Sequence, residues 1–159
     1  MTIHHVSGFW SNICFWCPFF SWILAQLIKM AINFTKTRTI DLHYLVSTGG
    51  MPSAHSATVA GLATSTGMVV GFDSPTFAIS TVYAIITMFD ASTVRRAAGQ
   101  QAKILNIMIH GVFKEHKIHN AHLRELLGHT RIEVWAGMML GIIFSATLCF
   151  VVARLTANG

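Results

Sequence analysis

Long apolar segments almost without charge constrain this chain more than any other feature. Residues 134–153 carry no charged side chain. A helix needs roughly 17–25 apolar residues to cross the hydrocarbon core of a bilayer, so this segment is long enough to span. Charged residues make up 11% of the whole sequence, whereas soluble domains carry about 25%. The sequence therefore predicts an integral membrane protein.

Four apolar segments are predicted to be membrane helices, namely residues 9–34, 53–72, 76–89 and 130–153. The third is short for a full span. Residues 94–117 show an amphipathic pattern, because Arg96, Lys103 and His110 recur every seven residues on one face. The predicted fold is all-α: an integral membrane helical bundle of about four membrane segments plus one amphipathic helix. We expect a single domain over residues 1–159.

The polar parts of the chain converge on one face of the predicted bundle. If all four segments cross, the loop before Ser53, the end of the third segment at Asp90 and the start of the last at His129 share that face. The positive-inside rule predicts that it is cytoplasmic, or the equivalent side of an organelle. The formal net charge of +5 comes from bases beside apolar segments, which favours lipid headgroups or a phosphate substrate over nucleic acid.

The segment Pro52-Ser53-Ala54-His55 has the features of an anion site at the start of a helix. Ser53 stands at the predicted N-cap. The first helical turn offers free N–H groups and the positive end of the helix dipole, which together favour phosphate. His55 is placed to donate a proton to a leaving oxygen. The alternative is a Ser N-cap beside an interfacial His that takes no part in chemistry.

The start of the last segment holds a second pair of candidates. His129 and Glu133 are four residues apart, so they share a helical face. A carboxylate that holds one imidazole nitrogen protonated leaves the other free to attack phosphorus. Thr130 and Glu133 also fit a capping box, with Thr at the N-cap and Glu three residues later. One carboxylate has limited acceptor geometry, so we expect both roles to hold only in part.

Other charged side chains near the same face are candidates for substrate binding. Asp90 ends an apolar segment, where it is costly unless it is paired or functional. Arg95 and Arg96 follow it and suit bidentate phosphate binding, the alternative being a salt bridge with lipid headgroup contacts. Lys29 either binds substrate or snorkels to the interface, and the sequence slightly favours snorkelling. Asp90 would hold a magnesium ion if one were used, but no metal is expected.

The cysteines and the histidine-rich connector are predicted to be structural. The Cys14-x-x-Cys17 pair is spaced like a redox or zinc pair, but it lies in an aromatic apolar run without a second pair nearby, which favours buried packing. A solvated connector is favoured over a zinc site for the histidines of the polar stretch, because their spacing fits no closed ligand set. These histidines are His110, His116, His119 and His122.

Three blocks of residues occur in a fixed order along the chain. They are Gly49-Gly50-Met51-Pro52-Ser53-Ala54-His55-Ser56-Ala57, then Asp90-Ala91 with residues 94–102 and Leu105-Asn106, then Glu125-Leu126-Leu127-Gly128-His129-Thr130 with Glu133-Val134 and Gly137. This set resembles the divergent branch of the type-2 phosphatidic acid phosphatase family, which is related to acid phosphatases and vanadium-dependent haloperoxidases. The resemblance covers nearly the whole chain from about residue 26 onward.

The resemblance implies roles for the residues that match the family motifs. Ser53 would bind phosphate, and His55 would be the general acid. His129 would be the nucleophile that forms a phosphohistidine, and Glu133 stands where the family has the Asp that orients it.

The basic motifs of the family match this chain less closely. Lys29 or Arg38 would stand in for the first motif, since no Arg-Pro follows at the expected distance. The third-motif Arg falls at Leu123. Arg124, or the pair Arg95-Arg96, would then have to substitute in the phosphate clamp.

By resemblance, the expected activity is removal of phosphate from a membrane lipid, such as phosphatidylglycerol phosphate, phosphatidate or an isoprenyl diphosphate. No cofactor is expected, with magnesium as the option that a divergent branch leaves open. The alternative is a non-catalytic membrane protein that binds anionic lipid or a partner protein. A homo-oligomer is also expected as an option, because four segments rich in small residues make a thin bundle.

Overall fold

The computed structural model describes residues 7–38, 50–112 and 128–157, and every regular element in these ranges is a helix. The helices are α1 (Ser7–Trp10), α2 (Ile13–Thr37), α3 (Ala54–Val70), α4 (Pro75–Ser92), α5 (Val94–Val112) and α6 (Arg131–Ala157). The prediction of an all-α fold is confirmed. The amphipathic segment is α5, and its predicted continuation to residue 117 lies outside the described residues.

Short polar side chains determine where the long helices begin. Asn12, Ser53 and Ser74 are the N-caps of α2, α3 and α4, and each side chain accepts a hydrogen bond from a backbone N–H of the first turn. Pro75 follows Ser74 at the start of α4, where a missing N–H leaves no bond unmade. The helix starts predicted at residues 53 and 76 are therefore correct to within one residue.

Helices α2, α3 and α6 form the core and pack through small residues spaced four apart. Four-residue spacing aligns these residues along one side of each helix, and small side chains let membrane helices approach closely. We call this set the small-residue ladder. Its buried members are Cys17, Ser21 and Ala25 on α2, Ser53, Ala57, Gly61 and Ser65 at the N-cap and along α3, and Gly137, Gly141, Ser145 and Cys149 on α6.

The contact between α3 and α6 is especially close. A Cβ atom added to Gly137 would collide with the carbonyl oxygen of Ser53, and one added to Gly141 would collide with that of Ala57. The backbone N–H of Ser53 also donates to the carbonyl oxygen of Glu133 at 3.0 Å. The beginning of α3 is thereby fixed against the beginning of α6.

Among the residues that the structure describes, three helical stretches are long and apolar enough to cross a membrane: Ile13–Thr37, Pro75–Ile109 and Arg131–Ala157. The predicted count of four spans is not confirmed by this criterion. Helix α3 has 17 residues, at the lower limit of the roughly 17–25 that a span needs, and it packs among α2, α4 and α6. The third predicted segment, residues 76–89, was expected to be short for a span. It is the first part of the long stretch that α4 and α5 form together.

Candidate active site

The N-terminus of α3 is capped by Ser53 and enclosed by the core. The Ser53 Oγ accepts hydrogen bonds from the backbone N–H of Ser56 at 3.4 Å and from its hydroxyl at 3.0 Å. Ser53 itself is fully buried. The structure thus confirms the N-cap that the sequence predicted. The positive end of the α3 dipole is directed at this point, and phosphate binding by Ser53 stays a prediction.

His129 is oriented by Glu133 just before α6 begins. His129 is 3% exposed, and its Nδ1 lies 3.0 Å from Oε2 of Glu133. An ionised carboxylate only accepts hydrogen bonds, so Nδ1 of the neutral imidazole carries the proton in this contact. The other ring nitrogen, Nε2, then keeps its lone pair.

The capping box and the His–Glu pair occur together. Oε2 of Glu133 also accepts from the backbone N–H of Thr130 at 3.1 Å, and the backbone N–H of Glu133 donates to Oγ1 of Thr130 at 3.3 Å. One carboxylate oxygen therefore serves both arrangements that the sequence offered as competing interpretations. Because the cap holds the carboxylate in place, it also fixes the orientation of His129.

The rings of His55 and His129 lie near each other in an edge-to-face arrangement. The ring centroids are 6.4 Å apart and the planes are inclined by 62°. His55 is exposed, whereas His129 is buried. The two imidazoles are therefore close enough to border the same small ligand, one from the exposed side and one from the buried side.

Lys29 of α2 turns into the bundle. It is 3% exposed, and a Cβ atom on Gly50 would lie 3.5 Å from both Cγ and Cδ of Lys29. The carboxylate of Glu133 acts electrostatically on its ammonium group. The residues just before α3 cover this side chain, and such burial does not fit the snorkelling that the sequence slightly favoured. Substrate binding by Lys29 stays a prediction.

The end of α4 is held to the site by one backbone hydrogen bond. The N–H of His129 donates to the carbonyl oxygen of Ala91 at 3.1 Å, which places the half-buried Asp90 next to this contact in the chain. Arg95 and Arg96 belong to the first turn of α5, but their side chains lie outside the description, as does all of Arg124. Substrate binding by these residues stays a prediction.

Arg38 lies away from the assembled residues. It is exposed and caps the C-terminus of α2, nine positions beyond Lys29. At 1.5 Å per residue this is about 13 Å along the helix axis. Of the two candidates for the first basic motif, Lys29 is the one beside Glu133.

The supporting role of the α6 glycines was missed in the sequence. Gly137 faces the carbonyl oxygen of Ser53, so its missing side chain is what lets the two motif-bearing helix starts meet. The signal was present as a run of small residues spaced four apart, namely Gly137, Gly141, Ser145 and Cys149.

Within residues 7–38, 50–112 and 128–157, no three His, Cys, Asp or Glu side chains come together as a metal site. The expectation that no metal is used, and the option of magnesium at Asp90, both stay predictions. The residues that do come together are Lys29, Ser53, His55, His129 and Glu133. Their functional groups are those of acid–base and nucleophilic chemistry on an anion.

Comparisons with known proteins agree with the resemblance in the motifs. The model of a family described as the divergent PAP2 family matches residues 10–144 of the chain. The chain is 41% identical over 139 residues to the uncharacterized membrane protein YuiD of Bacillus subtilis (strain 168), an alignment that covers 80% of this chain and 88% of YuiD. No solved structure matches the chain. The family match includes every residue of the assembled group.

Proposed function

The chain belongs to the divergent PAP2 family and is a membrane protein, and from this membership we propose that it is a phosphatase acting on lipid phosphates. The observation that carries the proposal is the arrangement of His129. Its Nδ1 contacts Glu133 at 3.0 Å, and its ring faces His55 with 6.4 Å between centroids. A histidine held in this way is suited to attack phosphorus.

Hydrolysis would proceed in two steps through a phosphohistidine. Nε2 of His129 attacks phosphorus and forms an N–P bond while the P–O bond to the lipid alcohol breaks. His55, protonated at the start, gives its proton to the leaving oxygen. A water molecule then attacks the phosphohistidine, transfers a proton to His55 and releases inorganic phosphate. Glu133 assists both steps, since its bond to Nδ1–H fixes the tautomer and stabilises positive charge on the ring.

Two features of the site support binding of the phosphate. Lys29 is buried within electrostatic reach of Glu133, and the N-terminus of α3 adds the positive end of a 17-residue helix. We assign Arg95, Arg96 and Arg124 to the remaining clamp and Asp90 to the edge of the same site. Arg38 is less suited to phosphate binding, because it lies about 13 Å further along α2 than Lys29.

The substrate class follows from the membrane setting of the site. A lipid with a terminal phosphate or diphosphate, such as phosphatidylglycerol phosphate, phosphatidate or an isoprenyl diphosphate, presents its headgroup at the depth where α3 and α6 begin. The site is proposed to face the cytoplasm, or the equivalent side of an organelle, because the basic residues cluster on that face.

A second candidate is a non-catalytic protein that binds anionic lipid. One observation favours it: Leu123 stands where the family motif has an Arg. Lys29 and the start of α3 would then serve for binding alone, and the two histidines would take no part in chemistry.

The two candidates are separated by release of phosphate from phosphatidate in vesicles. His129→Ala is expected to reduce the rate by about 10³-fold or more, since a covalent nucleophile is lost. His110→Ala is the matched control, because we propose no role for this histidine of α5. Equal rates for His129→Ala and the wild type would exclude His129 as the nucleophile. A wild type that is inactive on every lipid phosphate offered would favour the non-catalytic, lipid-binding protein.

A further inference from the structure

A groove of about 230 Å³ lies between the end of α4 and the start of α6. It is lined by Phe89, Ser92, Thr93, Arg131, Val134 and Trp135. The hydrogen bond from the N–H of His129 to the carbonyl oxygen of Ala91 joins the two helices beside it. The groove therefore lies beside the backbone that carries His129.

The lining combines one cation with apolar walls. Phe89 and Trp135 are 64% and 63% exposed, whereas Val134 is buried between them and the core. The hydroxyls of Ser92 and Thr93 donate to the carbonyl oxygen of Phe89, so they present only lone pairs to a ligand. Arg131 is thus the charged donor among the six lining residues. An arginine beside exposed aromatic rings matches the boundary between the headgroup and the chain of an anionic lipid.

The packing leaves this groove as an opening between α6 and its neighbour. Between α3 and α6 no lipid chain fits, because Gly137 and Gly141 already bring the backbones into contact. Helices α4 and α6 both pack on α3 but touch each other far less. The groove is smaller than the roughly 300–1,000 Å³ of a pocket that holds a whole ligand, so it suits the first part of a lipid chain.

We propose that this groove is the lateral entrance and chain-binding subsite for the phosphorylated lipid substrate. The proposal rests on the proposed function. The first chain carbons lie against Phe89, Val134 and Trp135, and Arg131 attracts the anionic headgroup from the bilayer. The phosphate then reaches His129 on the other side of the contact with Ala91.

The kinetic test compares substrates with and without acyl chains. Initial rates are measured for dioleoyl phosphatidate and for glycerol 3-phosphate in the same detergent. Trp135→Ala is expected to raise the ratio of the dioleoyl phosphatidate KM to the glycerol 3-phosphate KM by about fivefold, because it removes apolar contact with the first chain carbons. Arg131→Gln is expected to raise the KM of dioleoyl phosphatidate by about fivefold, the equivalent of the ~1 kcal/mol typical of one basic residue beside an anionic lipid. Arg154→Gln and Phe150→Ala are the matched controls, because both residues are exposed at the other end of α6. An unchanged ratio for Trp135→Ala would overturn the proposal.

A binding test needs no catalysis. Trp10, Trp16 and Trp22 are replaced by Phe, so that Trp135 is the one remaining indole of the chain. Its fluorescence is then titrated with brominated phosphatidate and with brominated phosphatidylcholine. About fivefold preference for phosphatidate is expected, with loss of the preference in Arg131→Gln and its retention in Arg154→Gln. Equal quenching by the two lipids would mean that ordinary bilayer lipid covers Trp135, and the proposal would be wrong.

The two tests keep this proposal separate from the proposed function. If the protein hydrolyses no lipid phosphate but still prefers brominated phosphatidate at Trp135, the proposed phosphatase activity is disproved and lipid binding in the groove is supported. If the protein hydrolyses phosphatidate without any preference at Trp135, lipid binding in the groove is disproved and the proposed phosphatase activity is supported.

Discussion

The two ends of the small-residue ladder are built with the same spacing but carry different chemistry. At one end Glu133 contacts His129 through its side chain and Ser53 through its backbone, and Lys29 lies within its electrostatic reach. At the other end only neutral groups meet: Sγ of Cys17 lies 3.7 Å from Sγ of Cys149, and Oγ of Ser21 lies 3.3 Å from Oγ of Ser145.

The difference teaches what the ladder itself does. Close approach of α2, α3 and α6 is needed along the whole length, and small residues provide it at both ends. At the end that holds Cys17 and Cys149, which we call the thiol end, the neutral side chains form hydrogen-bond contacts with one another inside the bundle. The other end gathers a cation, a helix N-terminus and a carboxylate–histidine pair, which is more polarity than packing requires in a membrane protein. Function is therefore expected to depend on that end alone.

The largest expected effect is that of Glu133→Gln. Glutamine retains the size of the side chain but removes the charge that fixes the tautomer of His129, so phosphate release is expected to fall by about 10²–10⁴-fold. The capping bond from Thr130 N–H keeps an oxygen acceptor, so the helix should persist by circular dichroism. Full activity in this variant would mean that the carboxylate is only a cap.

The next effect is that of Lys29→Met, which preserves the length and apolar stem of a buried side chain. Loss of one preorganised positive group is expected to reduce kcat/KM by about 10²-fold. Lys36→Met is the matched control, because Lys36 is exposed on the last turn of the same helix. Equal losses in the two variants would indicate a general electrostatic effect rather than a site at Lys29.

A third effect concerns stability more than chemistry. Gly137→Ala places a Cβ against the carbonyl oxygen of Ser53 and is expected to lower the free energy of unfolding by about 1–3 kcal/mol, read from denaturant titration in detergent. Gly141→Ala meets the carbonyl oxygen of Ala57 and should cost a similar amount. Gly8→Ala has open space and serves as the control. If Gly137→Ala were as stable as Gly8→Ala, the close α3–α6 contact would be wrong.

The smallest effect is expected at the thiol end. Cys17→Ser introduces a hydroxyl that can donate to the carbonyl oxygen of Ser145, which Sγ of Cys17 already approaches at 4.0 Å. We therefore expect the free energy of unfolding to change by less than about 1.5 kcal/mol and kcat to stay as in the wild type. The assay of phosphate release measures kcat, and denaturant titration in detergent measures the free energy of unfolding. Strong loss of activity without loss of stability would show that the two ends differ less than their chemistry suggests.

Much of the site was readable from the sequence because its signals are local. The N-cap at Ser53 and the four-residue spacing of His129 and Glu133 depend on residues within one helical turn, and the structure has both. The capping box was readable for the same reason. What spacing alone did not indicate is that one oxygen of Glu133 serves the box and the histidine together.

The features that sequence reasoning missed depend on neighbours distant in the chain. Whether Lys29 snorkels or turns inward is decided by the residues around Gly50, which are not part of its helix. The bond from His129 to Ala91 joins two segments that no local pattern pairs. The count of spans is not confirmed at α3 for a related reason, since a short helix enclosed by its neighbours has an apolar composition whether or not it crosses the bilayer.

The central claim is that His129 carries the phosphoryl group during turnover. The direct measurement is mass spectrometry of the protein quenched at alkaline pH during hydrolysis of phosphatidate, with His129→Gln as the control. The account predicts phosphate on His129 in the wild type and neither modification nor turnover in the variant. Steady release of phosphate by the variant, or a phosphoryl group on another residue, would contradict it.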